Sequence, residues 1–78
     1  MAVLRLFAAA REAAGTDRDH IEAATVGEVL DRARARYGDA FAALLPRCRI
    51  WLNGEPVDAA TAVTDADEVA VLPPVSGG

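Results

Sequence analysis

A single apolar stripe of helical spacing runs through the middle of the chain. Val26, Val29, Leu30, Ala33 and Tyr37 fall at offsets of three, four, seven and eleven, which puts them on one side of one helix. Thr25 stands where an N-cap belongs, and Glu28 follows at capping-box spacing. Arg32, Arg34 and Arg36 crowd the last turns, where cations suit the negative helix end. Gly38 supplies a left-handed residue to finish it. One helix with one apolar face needs one surface to cover, and the remaining apolar runs are short. A mixed sheet under a single helix satisfies both.

The strands are read from period-two alternation. In Ala2 to Ala8, Leu4 and Leu6 share one face while Val3, Arg5 and Phe7 share the other. Ala9 to Gly15 is alanine-rich and is expected to be a connecting loop or a short helical turn. A second strand fits Asp19 to Ala23, with Ile21 its one strong strand former. After the helix, Ala40 to Leu45 is expected to be a short irregular turn before Pro46. Cys48 to Leu52 makes a third strand, with Cys48, Ile50 and Leu52 toward the helix and Arg49 and Trp51 away. Asn53-Gly54 is a tight-turn signal. A short strand near Pro56-Val57 is kept to an edge by its proline. Thr64-Asp65-Ala66-Asp67 makes another turn, and Glu68 to Leu72 the last strand. The expected fold is α+β: a mixed four- to five-stranded sheet on one main helix, one domain over residues 1–72, then an extended, flexible tail over residues 73–78.

Composition narrows function. Seventy-eight residues make one domain that buries about 60% of its unfolded surface, with little room for an enclosed substrate pocket. A net charge of -4 and a pI of 4.7 disfavour nucleic acid and favour a basic protein surface. One cysteine, Cys48, precludes an internal disulfide, and one histidine, His20, precludes a multi-histidine site. No metal is expected. All eight cationic residues are arginine, so no side-chain amine can accept an isopeptide bond. No apolar run approaches the roughly 18 residues of a membrane span, and Arg5 interrupts any signal-peptide pattern at the N-terminus. A cytoplasmic protein is expected.

Chemistry points to the tail. Pro73-Pro74-Val75-Ser76-Gly77-Gly78 begins with two prolines that hold the chain extended and cannot continue a sheet. It finishes with two glycines that carry no side chains. Six residues reach at most about 20 Å, enough to enter a partner's cleft. The reactive group at the tip is the Gly78 carboxylate. Adenylation would give it a leaving group, and a sulfur nucleophile would convert it to a thiocarboxylate. Other features have simpler readings. Cys48 lies on the inward phase of a strand and behaves as a small hydrophobe; His20 is a surface residue. Asp65/Asp67 and Asp17/Asp19 belong to turns, since neither pair continues into a calcium loop. Arg11-Glu12 is a solvated pair in a loop.

The chain resembles the MoaD/ThiS sulfur carriers, most closely the MoaD small subunit of molybdopterin synthase. The resemblance covers nearly its whole length. It rests on Phe7-Ala8-Ala9-Ala10-Arg11-Glu12, Gly15-Thr16-Asp17, Leu52-Asn53-Gly54, Thr64-Asp65-Ala66-Asp67-Glu68-Val69-Ala70 and the Pro-Pro-Val-Ser-Gly-Gly end. Ala66 departs from it, at a turn position where glycine is common. The resemblance implies a ubiquitin-like β-grasp with the first and last strands parallel in the middle. It implies that Gly78 is adenylated with ATP by a MoeB-like adenylyltransferase and receives sulfur from a cysteine desulfurase or rhodanese. No cofactor would be bound; the sulfur is carried covalently. The tail would enter a MoaE-like large subunit, in a heterotetramer, and donate sulfur to cyclic pyranopterin monophosphate in molybdenum cofactor synthesis. It places Phe7 and Leu72 at the contact with that subunit. With strand alternation, Phe7, Trp51, Ala70 and Leu72 would form one apolar patch on the sheet face away from the helix. Three alternatives stay open: a ThiS-like carrier for thiamin or another sulfur-containing metabolite, a protein modifier conjugated through Gly78, and an interaction module with an inert tail.

Overall fold

The computed structural model describes residues 1–74. Its elements are β1 (Ala2–Leu6), α1 (Ala8–Ala14), β2 (Arg18–Ile21), α2 (Val26–Tyr37), α3 (Asp39–Leu44), a 3-10 turn (Leu45–Arg47), β3 (Arg49–Leu52), β4 (Glu55–Pro56) and β5 (Glu68–Leu72). The five strands form one sheet in the order β2-β1-β5-β3-β4. β1 and β5 are parallel and interior, and the other pairings are antiparallel. This is the β-grasp arrangement, with α2 across one face.

Register puts each face where alternation predicts. Leu4, Leu6, Val69 and Val71 are buried toward α2, whose Val26, Val29, Leu30 and Ala33 meet them. Thr25 caps α2 through its Oγ1, which accepts the Glu28 N–H at 3.2 Å. The Glu28 carboxylate does not complete the box; it faces Arg32 at 3.5 Å. The other leading amides go to the loop after β4, Val26 N–H to Thr61 O and Gly27 N–H to Ala59 O, both at 2.9 Å. A Cβ on Gly27 would lie 3.1 Å from the Ala59 oxygen, so glycine permits this close approach.

Two segments are more regular than expected, the first taking the helical alternative at greater length and the second replacing an irregular turn. Ala8–Ala14 is a helix of about two turns, closed by Gly15 at φ 78°, whose N–H reaches Arg11 O at 2.9 Å. Alanine needs no packing partner to favour a helix, and only Ala10 of this element is buried. Arg11 and Glu12 are therefore exposed helix residues, not loop residues. Asp39–Leu44 is also helical, and its Phe41 is fully buried. The Phe41 ring meets Tyr37 edge to face, 5.2 Å between centroids, an arrangement favoured by the ring quadrupoles. Six residues are too few to display a helical stripe. Gly38 does end α2, but with φ 92° and ψ -167°, positive and extended. That sharp turn also launches α3.

Both edges of the sheet are closed to further pairing. β4 is two residues long and contains Pro56. On β2, the Leu6 N–H to Asp17 O bond sets the alternation and leaves the backbone groups of Arg18 and His20 pointing outward. Side chains take all four: Thr16 Oγ1 donates to Arg18 O and accepts its N–H, Asp19 Oδ1 accepts His20 N–H, and Arg36 donates to His20 O. An edge so covered offers no template for a further strand. Among the described residues no helix is long and apolar enough to cross a membrane.

Candidate functional site

Because β1 and β5 run parallel, both finish at the same end of the sheet. Leu6 pairs with Val71, and Phe7 N–H continues the ladder to Val71 O at 3.3 Å. Phe7 thus sits beside Leu72, where Pro73 and Pro74 begin. The chain then swings into α1 through Ala8, whose φ of 50° lies in the left-handed region. Phe7 and Met1 are the two exposed large hydrophobic residues among those described. The Arg5 guanidinium lies 5.4 Å from the Phe7 ring centre, a cation–π contact, and 3.6 Å from Glu68. On the same face Ala70 pairs with both Arg5 and Trp51, and Leu72 with Arg49.

Phe7, Trp51, Ala70 and Leu72 therefore share the open face of the sheet, with Phe7 exposed and the other three half-buried. Pro73 is half-buried and Pro74 exposed. Val75, Ser76, Gly77 and Gly78, including the carboxylate expected to react, lie outside the described residues. Among those described, no three His, Cys, Asp or Glu side chains lie close enough to hold a metal ion.

The remaining polar residues serve the fold. Cys48 Sγ donates to Leu44 O at 3.4 Å, and burial pushes its thiol pKa up, away from a nucleophilic thiolate. Asp19 is not a turn residue. It points inward from β2, accepting the Tyr37 hydroxyl and, at 2.8 Å, Arg36. Burial raises its pKa, but the bonds from Tyr37, Arg36 and His20 N–H outweigh that and hold it below the usual value. The same partnership, after burial itself, pushes the Tyr37 phenol well above its ordinary range. His20 is exposed and lines a shallow concavity of 420 Å³ with Met1, Ile21, Arg32 and Arg36. Met1 and Phe7 are about 20 Å apart along a strand, so this concavity is remote from the tail.

Residue-by-residue reading missed one network that joins two of the resemblance motifs. Asn53, at φ 51°, accepts Glu68 N–H on Oδ1 and donates from Nδ2 to Asp67, both at 2.9 Å. Asp67 also accepts the Thr64 N–H at 2.7 Å and the Thr64 hydroxyl at 3.2 Å. The β3–β4 turn is thereby pinned to the start of β5. These bonds, Asn53's foremost, hold the Asp67 pKa below the usual value. A depressed folded-state pKa stabilises above the unfolded value and loses that stability as pH falls through the folded one. Urea midpoints measured against pH should accordingly fall more steeply on the acid side for wild type than for Asp67→Asn, which starts lower. Parallel curves would show that Asp67 does not contribute in its ionised form.

The sheet order and the helix across it define a ubiquitin-like β-grasp protein, the fold of sulfur carriers and protein modifiers. The ThiS family model matches residues 4–78. The chain is 36% identical to small archaeal modifier protein 3 of Haloferax volcanii, over 96% of each. It superposes on the crystal structure of SAMP1 from Haloferax volcanii with a TM-score of 0.84, at 31% identity, covering 99% of this chain and 98% of that one. A chain in the complex of subunits 1 and 2 of the molybdopterin-converting factor of Helicobacter pylori 26695 gives 0.71 at 28% identity, covering 99% and 97%. The chain belongs to the ThiS family, among the MoaD/ThiS sulfur carriers and related modifiers.

Proposed function

We propose that the chain is the small, sulfur-donating subunit of a molybdopterin synthase, working in the cytoplasm. A MoeB-like adenylyltransferase transfers AMP from ATP to the Gly78 carboxylate and releases pyrophosphate. The persulfide of a cysteine desulfurase or rhodanese attacks the carbonyl carbon and AMP leaves; a second thiol then cleaves the acyl disulfide, forming a disulfide with the donor sulfur and releasing the thiocarboxylate. Inside a MoaE-like large subunit the sulfur passes to cyclic pyranopterin monophosphate, and water restores the carboxylate. The large subunit supplies the catalytic side chains, and two small subunits flank a dimer of large ones.

The observation that supports this reading is the position of Phe7, Leu72, Ala70 and Trp51 on the open sheet face, at the end from which the Pro-Pro tail departs. Such a face lets a partner hold the domain while the tail enters its cleft. The Helicobacter pylori relative was solved together with a second subunit. The test combines thiocarboxylated chain, large subunit and cyclic pyranopterin monophosphate. Molybdopterin should form as Gly78 returns to its carboxylate. Phe7→Asp should weaken binding to the large subunit about 30-fold or more, the size of a hot-spot loss. Unchanged binding would remove the patch from the interface. Failure to form molybdopterin, with sulfur reaching a thiamin precursor instead, would assign the chain to the ThiS branch.

A second reading is favoured by the 36% identity to a small archaeal modifier protein: conjugation of Gly78 to lysines of other proteins. Target-linked adducts in cell extracts would support it. With no lysine of its own, the chain could modify targets singly but could not be chained through its own side chains.

A further inference from the structure

The open sheet face carries more than an apolar patch. Arg18 and Arg5 are directly opposed across β2 and β1, and Arg49 stands beside Leu72 on β3. Glu68 is the acidic residue among these outward positions, and it is paired with Arg5. Three arginines against one glutamate make this face +2 in a chain of -4, which leaves -6 on the rest of the surface. Like charges placed directly opposite destabilise a strand pair. Arg5 is partly relieved by Glu68 and by the Phe7 ring. Arg18 and Arg49 are exposed, and neither makes a salt bridge among the described residues. The fold gains nothing visible from keeping them there.

We infer that Arg18 and Arg49 form a cationic rim on either side of the Phe7–Leu72–Ala70–Trp51 strip, and that the rim selects a partner whose docking surface carries carboxylates around an apolar centre. The inference rests on the proposed docking of this face and adds the chemistry of its partner. The strip supplies desolvation energy once in contact. The basic partner surface that net charge alone favours is thereby reversed at this face. A protein of net charge -4 approaching an acidic surface is otherwise repelled, so the rim supplies orientation before contact and the chain must arrive with this face forward. Arg5 has a different part: held between Glu68 and Phe7, it positions the ring at the centre of the strip.

The test is the rate of association with the large synthase subunit across a range of ionic strength. Wild type should associate fast at low salt and slow as salt is added, since screening shortens the reach of the rim. The Arg18→Glu/Arg49→Glu double variant should associate about tenfold or more slowly at low salt, with salt no longer slowing it. Arg18→Lys/Arg49→Lys should behave as wild type. Both positions are exposed, and matched urea midpoints would show that the fold is intact. A double reversal with wild-type association rate and salt dependence would overturn the rim. Phe7→Asp separates the two ideas: if it leaves binding unchanged, docking by this face is itself wrong. If it abolishes binding while the double reversal changes nothing, only the rim is wrong.

Discussion

Replacing Phe41 by alanine should leave most molecules unfolded at 25 °C. Phe41 is fully buried and heads the largest side chains of the core. Emptying such a site costs about 3–5 kcal/mol, as lost transfer energy plus a cavity. A single core in a chain this small supplies about the same amount of net stability. The loss would fall on a helix of six residues that has little intrinsic stability without its anchor, and Tyr37 would lose its edge-to-face partner. Far-ultraviolet circular dichroism and urea titration decide the matter. A cooperative transition with an unfolding free energy within about 1 kcal/mol of wild type would show that α3 is peripheral.

The second large effect concerns function with the fold intact. Adding one alanine after Gly78, or deleting Gly77 and Gly78, moves the terminal carboxylate by about 3.5 or 7 Å and should lower molybdopterin formation by about 100-fold or more, since a misplacement of about 1 Å already has that effect. The described core ends with β5 at Leu72, so the urea midpoint should stay where it is. Activity lost together with stability would mean that the tail supports its own domain. Activity retained would mean that sulfur travels by another group.

How much of this was legible in the chain depends on the length of each pattern. α2 displays a full stripe over twelve residues, and it was read with its cap. Period-two alternation needs few residues to be visible, so the faces of β1, β3 and β5 follow from the sequence alone. α1 and α3 are seven and six residues long, too short for helical periodicity. A lone Phe41 in an alanine-rich run does not reveal which way it points. Contacts between distant residues were also invisible. Asp19 lies 17 residues from Arg36 and 18 from Tyr37, and Asn53 lies 14 from Asp67. Such pairs depend on sheet order, which no local pattern encodes. The apolar strip was legible in part for the opposite reason: each member could be assigned to a face strand by strand. Arg49 is assigned to its face by the same alternation, but Arg18 precedes the expected second strand and belongs to β2 only in the structure. Their common effect depends on β2 lying against β1. The role proposed for Gly78 was legible in the chain itself, in a Pro-Pro-Val-Ser-Gly-Gly run that follows the last strand.

In the proposed cycle Gly78 is chemically recharged with sulfur. Intact-mass spectrometry of the chain, incubated with ATP, a MoeB-like adenylyltransferase and a sulfur donor, tests it most directly. A mass gain equal to sulfur replacing oxygen is expected, located on the peptide that contains Gly78 and absent when ATP is withheld. An unchanged mass with all components active, or a gain that persists after Gly77 and Gly78 are removed, would contradict it.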